Sequence, residues 1–464
     1  MKAVLDPDCV LAEGLAAIRA QYQVPRAFPL PVLEAAEAAA SRTLNEHADR
    51  TDIPFVTLDP ASATDLDQAL AIEQSGNDLL LRYAIADVAW FVADGDPVDQ
   101  EAWKRGTTLY LPDGKASLYP PVLSEGAASL LPDGPRPAVI FTVRVAPDGG
   151  VELEDAERAI VRSRAKLAYE TVADSDLPPQ FGELACRIAL AEAARGASRV
   201  DPPEQEVARR VDGGYGLAFR TRHQSEDQNA ALSLAANLAI AEVLQAHHTG
   251  LFRVMAEPDA VAIARLRNSA RAFGIAWPED VPLERFRDGL DADDPHQAAL
   301  MLAIRRAGQG ASYAPWSADA PPWHAAVAAP YVHATAPLRR LADRYVVRAT
   351  LATMQGRPVP AAVTDAFARL PKIMGRADAL SGQIDRAVID LAEAVMLEGR
   401  EGETFAAVVT DVDMRGARMQ LADLPVVTRI DAPGAAPGTA LKVRLLDADP
   451  EKRALRFEPV GGTA

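Results

Sequence analysis

Apolar positions near the N-terminus recur with the spacing of amphipathic helices. Val10 to Gln21 is rich in alanine, leucine and isoleucine with polar interruptions, and Val32 to Leu44 repeats this texture with more alanine. Three prolines lie between the two stretches, and proline ends or breaks a helix. The pattern therefore predicts a small helical N-terminal domain over residues 1–45.

Beyond residue 45 the pattern changes to short β-type runs, which are followed by long helical stretches. The predicted strands are Phe55–Leu58, Leu79–Val88, Val139–Ala146 and Val151–Ile160. The predicted helices are Asn229–Gln245, Ala260–Phe273, Gln297–Gly308, Pro337–Met354 and Ile373–Leu397. Strands first and helices later favour an α+β domain over a regular βαβ alternation, and we assign this domain to residues 46–398.

The last stretch, residues 399–464, returns to short strands. The predicted strands are Thr404–Thr410, Ala417–Leu421, Val426–Ile430, Ala440–Leu446 and Ala454–Phe457. Turn residues separate them, for example Arg415–Gly416 and Pro433–Gly438. Five short strands in this length are typical of a small five-stranded Greek-key barrel, the OB-fold.

Charge and cysteine content narrow the function classes. The 464 residues include 65 acidic and 48 basic ones, a net charge of −17. This argues against a protein that coats nucleic acid without regard to sequence, because such binding needs a basic footprint. Cys9 and Cys186 are too few for a disulfide framework or a four-thiolate zinc site. No stretch predicts a membrane span or a signal peptide, so we expect a cytoplasmic protein that does not bind membranes.

The segment FVTLDPASATDLDQAL, residues Phe55–Leu70, carries the sharpest chemical pattern. A β-run delivers Asp59, and Asp65 and Asp67 follow at a spacing of two, which in an extended chain places them on the same face. Three converging carboxylates repel one another unless a divalent cation neutralises them, and oxygen ligands favour Mg²⁺ or Mn²⁺. The alternative is a solvated turn, since Asp, Pro, Ser and Thr are common turn residues.

This segment resembles the signature of the RNase II (RNB) exoribonucleases. Five further stretches resemble that family in the same order: Arg82–Val92, Arg105–Pro132, Val161–Val172, Phe252–Asp259 and Pro330–Arg348. The tail resembles the S1-type OB module that follows an RNB domain. The resemblance implies an RNB catalytic domain, a β-sheet core surrounded by helices. It also implies a processive 3′→5′ exoribonuclease that degrades single-stranded RNA to nucleoside 5′-monophosphates.

The resemblance also implies roles for the acidic residues. Asp59, Asp65, Asp67 and Gln68 would hold Mg²⁺, with Mn²⁺ as a second possibility, and Asp65 and Asp67 would be catalytic together with Arg339. Gln68 stands where the family has its fourth aspartate, and a glutamine carbonyl brings no charge. A second hypothesis is therefore a non-catalytic RNA-binding or regulatory relative with a weakened metal site. A third is a DNA exonuclease, since the residues that would contact a 2′-hydroxyl are not identifiable.

The stretch from Ala336 to Arg348 supplies a local basic site within an acidic protein. Pro337 is expected at the first position of a helix, so Arg339 would lie in its first turn, where free backbone N–H groups bind anions. Arg340 would share a helix face with two later arginines, Arg344 and Arg348. The alternative is a solvated arginine face with an Arg339–Asp343 pair. The resemblance favours Arg339 and Arg340 as ligands of RNA phosphates.

Other expected RNA contacts rest on the resemblance. Tyr110 stands where the family stacks an aromatic ring on a base, although a core tyrosine in a β-run is the alternative. Asp385 lies near the family's ribose-contacting acid. About 45 residues precede the catalytic domain, so we expect a short form without the family's usual N-terminal cold-shock domains. We expect a monomer that binds single-stranded RNA. In the barrel, the basic residues that could follow an RNA backbone are Arg415, Arg418, Arg429, Lys442 and Arg444.

Overall fold

A computed structural model of the protein describes residues 2–4, 9–197, 204–210, 214–220, 222–287, 289–291, 294–308, 310–413 and 416–460. The α-helices in these ranges are α1 (Val10–Gln21), α2 (Leu30–Ala40), α3 (Val88–Phe91), α4 (Pro97–Arg105), α5 (Phe181–Arg195), α6 (Gln224–Ala246), α7 (Ala260–Ala272), α8 (Leu283–Arg287), α9 (Pro295–Ala307), α10 (Leu341–Met354) and α11 (Ala361–Leu397).

The strands fall into a first set, which precedes helix α10, and a C-terminal set. The first set is β1 (Lys2–Val4), β2 (Ala48–Asp49), β3 (Thr57–Asp59), β4 (Gln68–Ser75), β5 (Asp78–Ala86), β6 (Leu109–Leu111), β7 (Gly114–Ala116), β8 (Arg136–Val145), β9 (Val151–Val161), β10 (Lys166–Ala168), β11 (Gln205–Arg209), β12 (Tyr215–Phe219), β13 (Leu251–Val254) and β14 (Ser312–Pro315). The second set is β15 (Thr404–Asp413), β16 (Gly416–Leu421), β17 (Val427–Ile430), β18 (Ala440–Asp449) and β19 (Ala454–Pro459).

The central domain is built on a five-stranded sheet in the order β2-β9-β8-β5-β4. All neighbours are antiparallel except β2 and β9, so the α+β class is confirmed. Helices α6 and α10 pack on this sheet. Among the described residues α6 alone is long and apolar enough to cross a membrane, but 67% of its apolar window is buried inside the fold. A helix that is apolar on all sides is typical of a protein core.

The predicted N-terminal helices are present, and each packs on a different core of the fold. Strand β1 pairs with β12, beside β11, in a three-stranded sheet. Helix α1 buries Leu11, Leu15 and Ile18 against α11, and α2 buries Val32 and Ala36 in the main core. The amphipathic pattern thus predicts the two helices. The apolar face of each helix needs a partner, and α1 and α2 both find theirs in residues far along the chain.

The helix predicted from Pro337 begins four residues later, at Leu341. Pro337 to Arg339 form a turn, and Arg340 is the N-cap residue with an extended backbone. Helix α11 is also longer than predicted and continues through Pro371. Its residues before that proline stay buried in the main core, and such packing supplies most of a helix's stability.

The C-terminal strands form an antiparallel sheet in the order β17-β16-β15-β18-β19. The edge strands β17 and β19 contact each other, so the sheet nearly closes and the predicted five-stranded barrel is confirmed. The barrel has its own core, which includes Val409, Met419 and Leu445. Helices α7 to α9, between β13 and β14, form another small core around Leu266 and Leu300.

Candidate active site

The acidic segment connects β3 to β4. Asp59 ends β3, which pairs with β10 through a parallel register, and Gln68 begins β4 at the edge of the central sheet. Between them, Leu66 is fully buried, and its N–H donates to Ser129 Oγ at 2.9 Å. The Ser129 hydroxyl in turn donates to the Thr64 carbonyl at 2.8 Å. The loop is therefore fixed on the core immediately before and after Asp65.

Asp67 points toward the turn that precedes α10. The Leu338 N–H donates to its Oδ1 at 2.6 Å, and Arg339 Nε lies 3.4 Å from its Oδ2. Only 4% of Asp67 is exposed. Burial raises the pKa of Asp67 to about 8, although Arg339 and the Leu338 N–H act in the opposite direction. Asp67 is thus a buried carboxyl whose charge depends on nearby cations.

Asp65 points to a different set of partners. Lys115 Nζ lies 2.6 Å from Asp65 Oδ1, and the Tyr110 hydroxyl donates to Oδ2 at 3.1 Å. The described residues include no group of three or more His, Cys, Asp or Glu side chains gathered to hold a metal ion. The predicted convergence of three carboxylates is therefore not found, because Asp65 and Asp67 are each bound by a different cationic partner.

Asp59 and Gln68 present oxygen atoms to a cavity of about 730 Å³. Asp59 Oδ2 is buried and has no hydrogen-bond partner among the described residues. Burial raises the pKa of Asp59 to about 6, and Arg339 opposes this increase. Among the described residues, the Gln68 side-chain carbonyl accepts only one hydrogen bond, a long one from Ser233 Oγ at 3.4 Å. By donor chemistry this pair fits a hard cation, which favours oxygen ligands.

Arg339 and Arg340 both line this cavity, but they are held differently. The Arg339 side chain is 47% exposed. Arg340 donates through Nε and Nη2 to the two oxygens of Asp343 at 3.0 and 2.7 Å. The fully buried Asp343 also accepts the Ala336 N–H at 2.8 Å, so this ion pair stabilises the turn. Arg339 is the better placed of the two to meet a phosphate.

The predicted arginine face on the following helix is wrong. Arg344 is 1% exposed and pairs with Asp99, and Arg348 donates to Asp94 at 2.8 Å. The alternative Arg339–Asp343 pair is also not formed, since Arg340 takes Asp343. Arg340 precedes the helix, and Arg344 and Arg348, although one turn apart on it, are each held by an aspartate instead of facing RNA.

Tyr110 and Lys115 face each other across the β6–β7 hairpin. The Tyr110 ring is 50% exposed, so the core alternative is excluded. Tyr110 lines a second cavity of about 800 Å³ with Asp385 of α11 and Arg418 of the barrel. Burial of the hydroxyl and the nearby Asp65 raise the pKa of Tyr110. Asp385 lies in this second cavity, and burial raises its pKa as well.

Several polar residues of the site were missed by the sequence analysis. Lys115 binds Asp65, and Asn229 of α6 donates to the Tyr169 hydroxyl at 2.8 Å and to the Leu58 carbonyl at 3.2 Å. Tyr169 lies in a segment that resembles the RNase II family, which was the available signal. Asn229 carries no such signal, because it lies in an apolar helix. Arg415, expected to follow RNA, lies outside the described residues.

Buried carboxyls beside an exposed arginine are a combination of groups that can bind a metal ion and a phosphate. The RNB domain model matches residues 47–177 and 180–356, and the model of the RNase II-type exonuclease C-terminal S1 domain matches residues 403–460. The chain belongs to the RNB family. The predicted family and both domain types are thereby confirmed.

Ribonuclease R of Aquifex aeolicus is 27% identical over 436 residues, which are 86% of this chain and 60% of that protein. The chain thus spans less than two thirds of that relative. Mycoplasma genitalium RNase R, solved with ribose-methylated single-stranded RNA, has 18% identity and a TM-score of 0.86 over 98% of this chain and 78% of that one. Yeast Ssd1, described as a pseudonuclease, has 16% identity and a TM-score of 0.67 over 96% of this chain and 59% of that one.

Proposed function

We propose that the protein is a Mg²⁺-dependent 3′→5′ exoribonuclease that degrades single-stranded RNA processively and releases nucleoside 5′-monophosphates. The observation that carries this proposal is one cavity that collects Asp59, Gln68 and the exposed Arg339 beside the buried Asp67. Phosphodiester hydrolysis needs oxygen ligands for a metal and a cation that meets the charge on the phosphate. Membership in the RNB family supports the same reaction. We expect the enzyme to act in the cytoplasm as a monomer, with Mn²⁺ as a possible substitute for Mg²⁺.

Different residues of the chain would bind the metal, the phosphate and a base. Asp59 and Gln68 would hold the metal, which would supply an activated water and neutralise phosphate charge, and Asp67 lies beside them against Arg339. Arg339 binds the phosphate of the bond that is cleaved. On the far side of Asp65, Tyr110 presents its exposed ring to a base in the second cavity. Stacking on such a ring is tolerant of sequence, which suits a processive enzyme.

The first test is cleavage of 5′-labelled single-stranded RNA, in Mg²⁺ and in EDTA, followed on a denaturing gel. The wild type should shorten the RNA progressively, and both EDTA and Asp67→Asn should abolish this while native gels still show RNA binding. Asp78→Asn is the matched control, because Asp78 pairs with Arg144 at the surface of the same sheet. Full activity in Asp67→Asn would refute the assignment.

A second variant pair tests the RNA contact of Tyr110. Tyr110→Ala should weaken binding of single-stranded RNA by about five- to 150-fold, since one base–aromatic stack is worth ~1–3 kcal/mol. Tyr110→Phe keeps the ring and loses only the hydrogen bond to Asp65, so its affinity should stay near that of the wild type. Equal losses in both variants would show that the hydroxyl, not the ring, carries the contact.

The alternative function is a non-catalytic RNA-binding relative, and the neutral Gln68 is the observation that favours it. The same fold occurs in a protein described as a pseudonuclease, so fold alone does not choose between the two. Under the alternative the wild type leaves RNA intact and Gln68→Asp restores hydrolysis. Under the main proposal the wild type cleaves RNA before any change at residue 68. A comparison of cleavage of matched RNA and DNA strands separates these two functions from the third hypothesis, because a DNA exonuclease would shorten the DNA strand.

A further inference from the structure

One tryptophan differs from the other four in its surroundings. Within the described ranges, Trp90, Trp103, Trp277 and Trp316 each contact another aromatic or histidine ring. Trp323 has no ring or cationic partner there, and 46% of it is exposed. An indole left in water is a large apolar surface that a flat ligand can cover.

Trp323 lies next to the cavity of the proposed active site. Its carbonyl accepts the Met255 N–H at 3.0 Å, and the Ala325 N–H donates to the Met255 carbonyl at 3.0 Å. Both Met255 and Ala325 line the cavity that also contains Asp59. His324, which lies between Trp323 and Ala325 in the chain, forms an isolated β-bridge with Met255 and is 8% exposed. Trp323 is therefore joined through its backbone to Met255 and stands two residues from Ala325, both of which belong to the cavity wall.

The cavity next to the segment of Trp323 and the cavity of Tyr110 have different lining residues. The Tyr110 cavity is bordered by the barrel residues Arg418 and Val427, whereas the described residues that line the other cavity include none from the barrel. If the strand lies in the Tyr110 cavity, as stated under the proposed function, its 3′-terminal nucleotide passes Asp65, which bonds to Tyr110, and enters the cavity next to the segment of Trp323. A volume of about 730 Å³ lies within the ~300–1,000 Å³ of pockets that enclose a small ligand.

We propose that Trp323 stacks on the base of the released nucleoside 5′-monophosphate at the rim of the active-site cavity. The site would take any of the four bases, because every base has a flat π-face. Arginines at the same cavity, among them Arg222 and Arg287, provide positive charge for the phosphate. The inference rests on the proposed function for the identity of the ligand, but binding itself needs no catalysis.

The test measures binding of adenosine 5′-monophosphate to the full chain by calorimetry. Trp323→Ala should raise the dissociation constant by about five- to tenfold, the weaker end of base–aromatic stacking, and Trp323→Phe should restore most of the affinity. Leu190→Ala is the matched control, because Leu190 is also an exposed apolar side chain, 62% exposed. Ribose 5-phosphate, which lacks the base, should bind wild type and Trp323→Ala equally.

Three results would overturn the assignment. The first is a dissociation constant for adenosine 5′-monophosphate that is unchanged in Trp323→Ala. The second is a loss of affinity for ribose 5-phosphate in Trp323→Ala that equals the loss for the mononucleotide. The third is a rise in KM for a long RNA as large as the rise in that dissociation constant, which would place Trp323 on the strand. If the protein cleaves no RNA but Trp323→Ala still loses the mononucleotide, the proposed function fails and the stacking site stands.

Discussion

Glu393 of α11 joins three parts of the fold through one oxygen atom. Its Oε1 accepts the Gln205 amide of β11 at 2.6 Å and the Val427 N–H of the barrel at 2.7 Å. Gln205 also donates to the Pro425 carbonyl at 2.7 Å. Only 3% of Glu393 is exposed. The carboxyl therefore connects the N-terminal sheet, the long helix and the barrel.

Burial raises the pKa of Glu393 from the ordinary 4.5 to about 7, with a smaller contribution from Asp390. The two hydrogen bonds and Arg418 act in the opposite direction. At ~1.36 kcal/mol per pH unit, this increase corresponds to about 3 kcal/mol. The folded protein keeps this proton to higher pH than the unfolded chain. Its stabilisation is therefore complete below pH 4.5 and is lost as the pH rises through about 7.

Glu393→Gln removes the titration and keeps an oxygen that can accept both hydrogen bonds. The free energy of unfolding of the variant, minus that of the wild type, should grow by about 2–3 kcal/mol between about pH 5 and pH 8. Urea-induced unfolding, followed by tryptophan fluorescence at several pH values, measures this difference. Glu458→Gln, at an exposed barrel position paired with Arg444, should show no such growth. A difference for Glu393→Gln that is the same at every pH would refute the reasoning.

Two further predictions concern stability. Asp99→Ala leaves the fully buried guanidinium of Arg344 without its carboxylate, and should lower the free energy of unfolding by about 3–5 kcal/mol in urea. A loss below about 1 kcal/mol would show that Arg344 is solvated. In Gly149→Ala the new Cβ would lie 2.2 Å from the Arg187 carbonyl oxygen. Its melting temperature should fall well below that of Gly76→Ala, which has a similar positive φ but open space. Equal melting temperatures would contradict this.

The sequence predicted those elements whose pattern is complete within a short stretch. The barrel strands alternate between buried and exposed positions, as in β16 from Gly416 to Leu421, so the pattern and the structure agree. Helix α7 was predicted to within one residue because its signals are local too: its N-cap residue, Asp259, accepts the Ala262 N–H at 2.7 Å. Local hydrogen bonds and side-chain periodicity are fully encoded by neighbours in the chain.

Boundaries that depend on distant partners were not predictable in this way. The extended backbone of Arg340 pairs with Thr107 in an isolated bridge, and Thr108 N–H donates to the Arg339 carbonyl at 3.0 Å. These contacts delay the start of α10 to Leu341 and direct Arg340 to Asp343. A helix start read from Pro337 alone could not include them.

The sequence by itself determined the residue types of the candidate site and their order along the chain: the three aspartates, Gln68, Tyr110 and Arg339. The tertiary structure decided their partners. Asp67 receives an N–H from Leu338, 271 positions away, and Asp65 binds Lys115. Charges attract over distances in space, not along the sequence, and burial sets how strongly each charge is felt. The local pattern therefore identifies the chemical groups, and only the packed chain determines which of them meet.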